Sequence, residues 1–159
     1  MSKITTFIIP TIGRPTLQRA LESVPFTADY LYLKDDNGRG PAAIRNQLIQ
    51  SAQTKWVSML DDDDTVTPDY VQRLEEELKN HPDADVIYFR EYFLWGQVMP
   101  LHPHCGWGNV GISFSVRRDL AIEMPFRDER YEDFEFIHRL ERAGKKIVFS
   151  NYLTYKARH

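Results

Sequence analysis

One cysteine, Cys105, stands in 159 residues, so no disulfide within the chain can staple the fold. The expectation is a reducing compartment, with the cytoplasm as the default. No apolar run approaches the length of a membrane span or a signal-peptide core, because the chain enters a strand-like stretch at Ile4 and reaches Pro10 within a few residues. Positive charge is not in excess either. The formal net charge is -3, so no global basic field gathers nucleic acid or an anionic membrane, and an anionic ligand has to be held by local arginines. Internal repeats, low-complexity tracts and Ser/Gly-rich linkers are absent, which leaves no sequence argument for a second domain. A chain of this length buries a core without disulfides or structural metal. Its hydrophobic share of 42% and charged share of 27% are ordinary for a globular protein, and the aromatic share of 13% is high.

What is present alternates strand-like and helix-like segments with short breaks, the pattern of an α/β domain with a mainly parallel central sheet flanked by helices. Ile4 to Pro10 reads as a strand, Thr11 to Pro15 as a turn, and Leu17, Ala20, Leu21 and Val24 fall on one helical face. Tyr30 to Lys34 is a second strand. A helix opening at Pro41 buries Ile44, Leu48 and Ala52, and Trp56 to Leu60 is a third strand. Thr67-Pro68 is expected to cap a helix whose Val71, Leu74 and Leu78 face the core and which stops near Pro82. Val86 to Phe89 is a fourth strand, and Tyr92 to Trp95 either extends it or turns back as a hairpin through Gly96. Ile112 to Val116 and Ile147 to Phe149 are later strands, with a helix from Glu132 to Ala143 burying Phe134, Ile137 and Leu140 and ending at Gly144. Met99 to Gly111 fits no regular element.

Asp61, Asp62, Asp63 and Asp64 form an unbroken run directly after the apolar third strand. Adjacent carboxylates at the end of a buried strand repel one another and lose hydration, so a fold that keeps them ionised offers them a cation, and a divalent metal site is the first expectation. Polar clusters also end the first two strands, at Thr11 to Arg14 and at Asp35 to Asn37. In an open α/β sheet such ends share one edge, beside which ligands bind. Arg14, Arg39 and Arg45 lie in or near the same loops, which combines carboxylates for a cation with guanidinium groups for phosphate. That is the donor set for a nucleoside-diphosphate sugar.

The segments Phe7-Ile8-Ile9-Pro10-Thr11, Asp35-Asp36, Ala43-Ile44-Arg45-Asn46, Leu60 to Asp64 with Pro68 beyond, and Tyr131-Glu132-Asp133 with Arg139-Leu140 resemble, in order, the family 2 glycosyltransferases of the GT-A fold. The resemblance runs from the first strand to the last residues. It implies one GT-A domain over residues 1–159, with 1–90 as the nucleotide-binding half and 91–159 as the acceptor and catalytic-base half. It further implies that Pro10 and Thr11 line a uridine pocket, Asp36 accepts a hydrogen bond from the base, Arg14 and Arg45 frame the nucleotide, and Asp62 holds the ribose. Asp63 would bind Mn2+ or Mg2+, with Asp61 and the terminal His159 as candidate further ligands. Asp133, with Glu132 beside it, would be the catalytic base of an inverting transfer from a UDP-sugar to an acceptor hydroxyl.

The chain is short for that fold and resembles a minimal form of the kind found in phages or bacteria. Its acceptor, a glycan or another hydroxyl compound, is expected to meet Trp95, His102, His104 and Trp107, or a second subunit in a homo-oligomer. Plainer roles compete at several positions. Asp35-Asp36 suits an ordinary turn, Glu132 and Asp133 suit a helix N-terminus, Arg45 suits a solvent-facing helix position, and Tyr88 to Trp95 is read as core ahead of a ligand platform. His102-Pro103-His104-Cys105 lacks a second ligand pair for zinc and is read as a loop. A phosphatase of the haloacid dehalogenase type is the rival enzyme, since Asp61, Asp63 and Thr65 fit its D-x-D-x-T pattern with Asp61 as nucleophile. A pyrophosphorylase would want a Gly-rich loop after the first strand, which the chain lacks. A binding module that has lost turnover is the non-catalytic alternative.

Overall fold

A computed structural model describes residues 2–158. The element order is β1 (Thr5–Thr11), α1 (Leu17–Ser23), β2 (Asp29–Lys34), α2 (Pro41–Ser51), β3 (Trp56–Met59), β4 (Thr65–Val66), α3 (Tyr70–Asn80), β5 (Val86–Phe93), β6 (Val98–Met99), β7 (Phe114–Arg117), α4 (Arg118–Glu123), α5 (Glu132–Arg142) and β8 (Ile147–Ala157). One sheet runs β2-β1-β3-β7-β5-β8-β4, with β6 paired to the far end of β5.

The expected parallel arrangement holds for β2-β1-β3 and for β5-β8, but β7 is antiparallel to both β3 and β5, so the sheet is mixed. Because β7 reverses twice, β5 and β8 still run in the direction of β1 and β3. Their C-terminal ends therefore share one edge. The aspartate run leaves β3 and enters β4, four strand steps away, which is about 19 Å in a flat sheet at the usual spacing. Six residues in full extension span about 20 Å, and Asp62-Asp63 form a turn. The sheet must therefore curl until β4 and β8 approach β3, and the aspartate loop closes over the ends of β5 and β8.

β1 is buried throughout, as its apolar run requires. Alternation along β5 sends Phe89 to one face, where Tyr70 of α3 packs against it and against Phe7 at ring distances of 4.8 and 4.9 Å. Tyr88 goes to the other face with Phe114, on which Phe136 of α5 stacks at 5.6 Å. A buried line of hydroxyls, Thr5 to Ser58 to Ser115 to Tyr70, crosses β1, β3 and β7 and satisfies the polar atoms that the small residues bring inside.

Several local expectations are corrected. α3 starts at Tyr70, because Thr67 donates to Asp69 Oδ1 and its carbonyl accepts from Tyr70, which places Pro68 in the preceding turn. Phe134 is only partly buried, and the core face of α5 is Phe136, Ile137 and Leu140. The hairpin through Gly96, at φ 93°, does form. In the unassigned 99–111 stretch, the buried Asn109 accepts from Leu101 N and donates to the carbonyls of His102 and His104, which ties the loop together. The short helix α4 and the extension of β8 from Ser150 to Ala157 had no clear sequence signal. Among the described residues no helix is long and apolar enough to cross a membrane.

Candidate active site

The ends of β1, β2 and β3 and the start of α2 surround a cavity of about 540 Å³, lined by Pro10, Thr11, Ile12, Arg14, Asp35, Pro41, Ile44, Arg45, Asp61, Asp62, Asp63 and Glu132. That volume is in the range of small-molecule sites and suits a nucleotide. Gly40, at φ 87°, turns the chain sharply so that α2 begins at Pro41 on the cavity wall. The positive end of the helix dipole therefore lies at the cavity, where it favours an anion.

The four aspartates have four different environments. Asp62, buried, accepts a hydrogen bond from Thr11 Oγ1 at 2.6 Å, which ties the aspartate loop to the end of β1. Asp63 is paired with Arg14 Nη1 at 2.6 Å. Asp61 accepts from Arg45 Nη2 at 2.8 Å, and its own N–H donates to Tyr155 Oη at 3.1 Å. Asp64, only 1% exposed, accepts from Tyr155 Oη at 2.8 Å and from Arg158 N at 2.9 Å. Burial, then the charge of Asp61, pushes the Asp64 carboxyl up to about 6. Asp61, Asp63 and Asp64 each offer one oxygen to a group whose atoms all lie within 4.8 Å of one another, whereas Asp62 is not of that group. Of the three, Asp64 is the buried one, which a strict two-residue strand alternation does not reveal because the run turns at Asp62-Asp63.

Arg45, at 3% exposure, is no surface residue. Its guanidinium forks between Asp61 at 2.8 Å and Glu132 Oε1 at 2.7 Å and lies 5.4 Å from the ring centroid of Phe126. It thus joins α2, the aspartate loop and α5. Glu132 and Asp133 begin α5, whose dipole favours them. Asp133 Oδ1 accepts from Phe134 N at 2.7 Å, and burial, with the charge of Glu132 added, raises its carboxyl above the ordinary range.

Asp36 lies outside the cavity lining, exposed, with Lys34 Nζ at 3.2 Å. Its neighbour Asp35 lines the cavity while accepting from Arg39 N and Gly40 N, both at 2.8 Å. Trp107, 65% exposed, stands edge-on to Tyr131 at 4.6 Å and to Phe134 at 5.1 Å, next to the two carboxylates that open α5. Trp95 stacks on Phe93 at 4.5 Å in the β5–β6 hairpin, and His104, exposed, stacks with His102 at 5.9 Å. His159 lies outside the described residues.

Sequence reasoning missed Glu91 and Tyr155. Glu91, in the aromatic stretch of β5, is 3% exposed, and burial followed by the charges of Asp64, Asp61 and Asp133 pushes it up to about 8. A lone acidic residue inside an apolar strand was the signal available. Tyr155 links the aspartate loop to β8, and nothing in its local sequence marks it.

Comparison with known proteins agrees with this geometry. The curated protein ExoO of succinoglycan biosynthesis in Rhizobium meliloti (strain 1021) is 46% identical over 41 residues, which are 26% of this chain and 12% of that protein. An uncharacterized glycosyltransferase of Mycoplasma pneumoniae is 23% identical over 145 residues, 88% of this chain and 46% of that one. The chain thus spans less than half of either relative. Among solved structures, S. aureus TarS 1-349 in complex with UDP-GlcNAc superposes with a TM-score of 0.78 at 15% identity, over 99% of this chain and 59% of that one. The mannosyltransferase PcManGT from Pyrobaculum calidifontis, in complex with GDP-Man and Mn2+, gives 0.72 at 12% identity over 96% and 56%. These two likenesses show a shared fold, the GT-A fold. The sequence also matches the glycosyl transferase family 2 profile over residues 25–131, and on that match this chain belongs to family 2 of the glycosyl transferases.

Proposed function

We propose that this chain is a metal-dependent, inverting glycosyltransferase that moves a sugar from a UDP-sugar to an acceptor hydroxyl. The observation that carries the reading is the convergence of Asp61, Asp63 and Asp64 beside a nucleotide-sized cavity whose other polar wall is Arg14 and Arg45. Support from outside the chain comes from structural neighbours solved with UDP-GlcNAc and with GDP-Man and Mn2+. Three carboxylate oxygens are a hard donor set that suits Mn2+ or Mg2+. When bound, such an ion offsets the negative charge that grows on the leaving diphosphate. Arg14 holds Asp63 at 2.6 Å, so the ion and Arg14 compete for that carboxylate, and a displaced Arg14 is free for phosphate.

In this reading residues 1–90 bind the nucleotide, and residues 91–159 supply the acceptor side and the base. Pro10 and Thr11 flank the base of the nucleotide, Asp62 meets the ribose, Arg45 frames the pocket, and Asp36 must leave Lys34 to reach the base. Asp133 takes the proton of the acceptor hydroxyl as its oxygen bonds to the anomeric carbon, while the bond to the diphosphate breaks and its electron pair leaves with phosphate. Displacement from the opposite face inverts that carbon. Glu132 acts through Arg45, keeping the start of α5 against the aspartate loop. Trp107, beside Glu132 and Asp133, offers a face on which an acceptor ring can stack. Family membership leaves the phosphatase reading of Asp61 and Asp63 without support.

The test is to incubate pure protein with Mn2+ and a panel of nucleotide sugars and to measure nucleoside diphosphate release. Mn2+-dependent release that is greatest with a UDP-sugar is expected. Nucleotide-sugar binding without release, with acceptors present, would instead favour the binding module.

A further inference from the structure

A second cavity opens where β5 and β8 fall out of step. Tyr88 faces Phe149 across the parallel ladder and Arg90 faces Leu153, so β5 advances two residues while β8 advances four. The surplus on β8 is gathered around Ser150, whose hydroxyl accepts from Tyr152 N at 3.1 Å and donates to Glu77 Oε1 at 2.7 Å. Beside this irregularity lies a cavity of about 170 Å³, lined by Arg90, His102, Ser150 and Asn151, with Pro100 and Pro103. Irregularities of this kind recur next to functional sites. The opposite wall is fixed by Asn109, which accepts from Leu101 N at 2.9 Å and donates to the His102 carbonyl at 2.8 Å.

The polar groups of this cavity are unspent. Arg90 is only partly exposed, yet among the described residues its guanidinium has no carboxylate and no other hydrogen-bond acceptor, and the side chains of His102 and Asn151 have no hydrogen-bond partner either. Ser150 is committed to Glu77, so the donors left are a guanidinium, an amide and an imidazole. An uncompensated cation flanked by further donors is a set for the oxygens of an anion. Size narrows the choice. A water molecule's share of liquid volume is about 30 Å³, so 170 Å³ holds about five or six heavy atoms. That admits a phosphate group and leaves whatever carries it outside. Arg90 directly precedes Glu91, whose ladder partner Tyr155 bears the hydroxyl that holds Asp64 and Asp61. The arginine thus stands one strand step, about 3.4 Å, from the rung that supports the aspartate cluster.

We propose that Arg90, with His102 and Asn151, binds a phosphate group carried by the acceptor, so that the chain acts on a phosphorylated sugar or glycan. The anion site stands on the cavity alone, and its assignment to the acceptor rests on the transferase reading.

The experiment follows the backbone amides of the metal-free full chain by nitrogen-15 NMR during titration with inorganic phosphate, glucose 6-phosphate and glucose. Both phosphates are expected to shift the amides of Arg90, His102 and Asn151, and glucose to shift none of them. Arg90→Gln should weaken that binding about ten-fold or more, and Arg90→Lys, which keeps the charge and loses the planar fork, should weaken it less. Asn151→Asp, at an exposed position, sets a like charge at the mouth of the cavity and should also weaken it, which keeps the test open where Arg90→Gln does not fold. Unchanged affinity in these variants would overturn the site. So would shifts confined to Thr11–Arg14 and Asp61–Asp63, which would put the phosphate in the nucleotide cavity. Tighter binding of glucose 6-phosphate than of inorganic phosphate supports a phosphate carried by a sugar, whereas equal affinity would leave a site for the free anion and overturn the assignment to the acceptor. A chain that turns over no nucleotide sugar yet shows the Arg90-dependent shifts would lose the transferase reading and keep the anion site.

Discussion

Replacing Arg45 with Met removes the one guanidinium that bridges Asp61, at 2.8 Å, and Glu132, at 2.7 Å, while an unbranched side chain still covers Phe126. Breaking a buried ion pair from one side costs about 3–5 kcal/mol, because the partner charges remain without compensation. The side chains of Asp61 and Glu132 keep 31% and 20% exposure, and that water contact argues for the lower end, about 3 kcal/mol. At about 2–4 °C per kcal/mol for a chain of this size, the thermal midpoint should fall by about 6–12 °C. Circular dichroism melts at pH 7 without metal measure it directly. A triple variant, Arg45→Met with Asp61→Asn and Glu132→Gln, removes the stranded charges and should recover at least half of the loss. A shift of less than about 2 °C in Arg45→Met would show that water already neutralises these carboxylates, and the bridge between α2, the aspartate loop and α5 would not be what holds the site together.

Other outcomes follow from the same groups. In the folded chain Asp64 lies at about 6 and Glu91 at about 8, above their ordinary values of 3.8 and 4.5. Between about pH 4 and 8 these two groups therefore bind more protons in the folded state than in the unfolded one, so the stability they contribute is fully present below about pH 4 and is lost as pH rises to 8, whereas Asp35, Asp69, Glu76 and Asp83, shifted down by their hydrogen bonds, lose their contribution only as pH falls further. Metal-free melts should fall across that window, and Mn2+ at a hundred times its Kd should restore about 2.7 kcal/mol at pH 8; a flat or rising profile would contradict the burial of these carboxyls. Asp133→Asn should bind the UDP-sugar normally and lower kcat by about 10² to 10⁴ in single-turnover assays, with wild-type kcat/KM rising as the raised Asp133 carboxyl ionises. A variant as fast as wild type would remove Asp133 as base. Trp107→Ala should raise the acceptor KM up to about ten-fold and leave UDP binding alone, which acceptor-series kinetics would check.

The architecture was readable wherever a local period or a turn residue announced an element. The strands β1 to β3, with polar clusters at their ends, and Pro41 opening α2 came directly from the order of residues. What escaped depended on distant partners. The reversal of β7, which mixes the sheet, has no local signal, since Phe114 to Arg117 reads the same in either direction. From its local sequence Arg45 suited a solvent-facing helix position as well as a place in the nucleotide site, because its two carboxylate partners lie 16 and 87 positions away. Asp64 is buried because the curled sheet brings Tyr155 over it from 91 positions further along. Glu91 was visible as a charge in an aromatic strand, but only Gly111 and the register irregularity show that room was made for it.

The central claim is that the aspartate run holds a divalent ion for a nucleoside diphosphate. Isothermal titration of UDP into the wild-type chain and into Asp63→Asn, with and without Mn2+, tests it most directly. Tight binding to wild type only when Mn2+ is present, lost in Asp63→Asn at every Mn2+ concentration, is the predicted result. Equal UDP affinity with and without Mn2+, unchanged by Asp63→Asn, would contradict it.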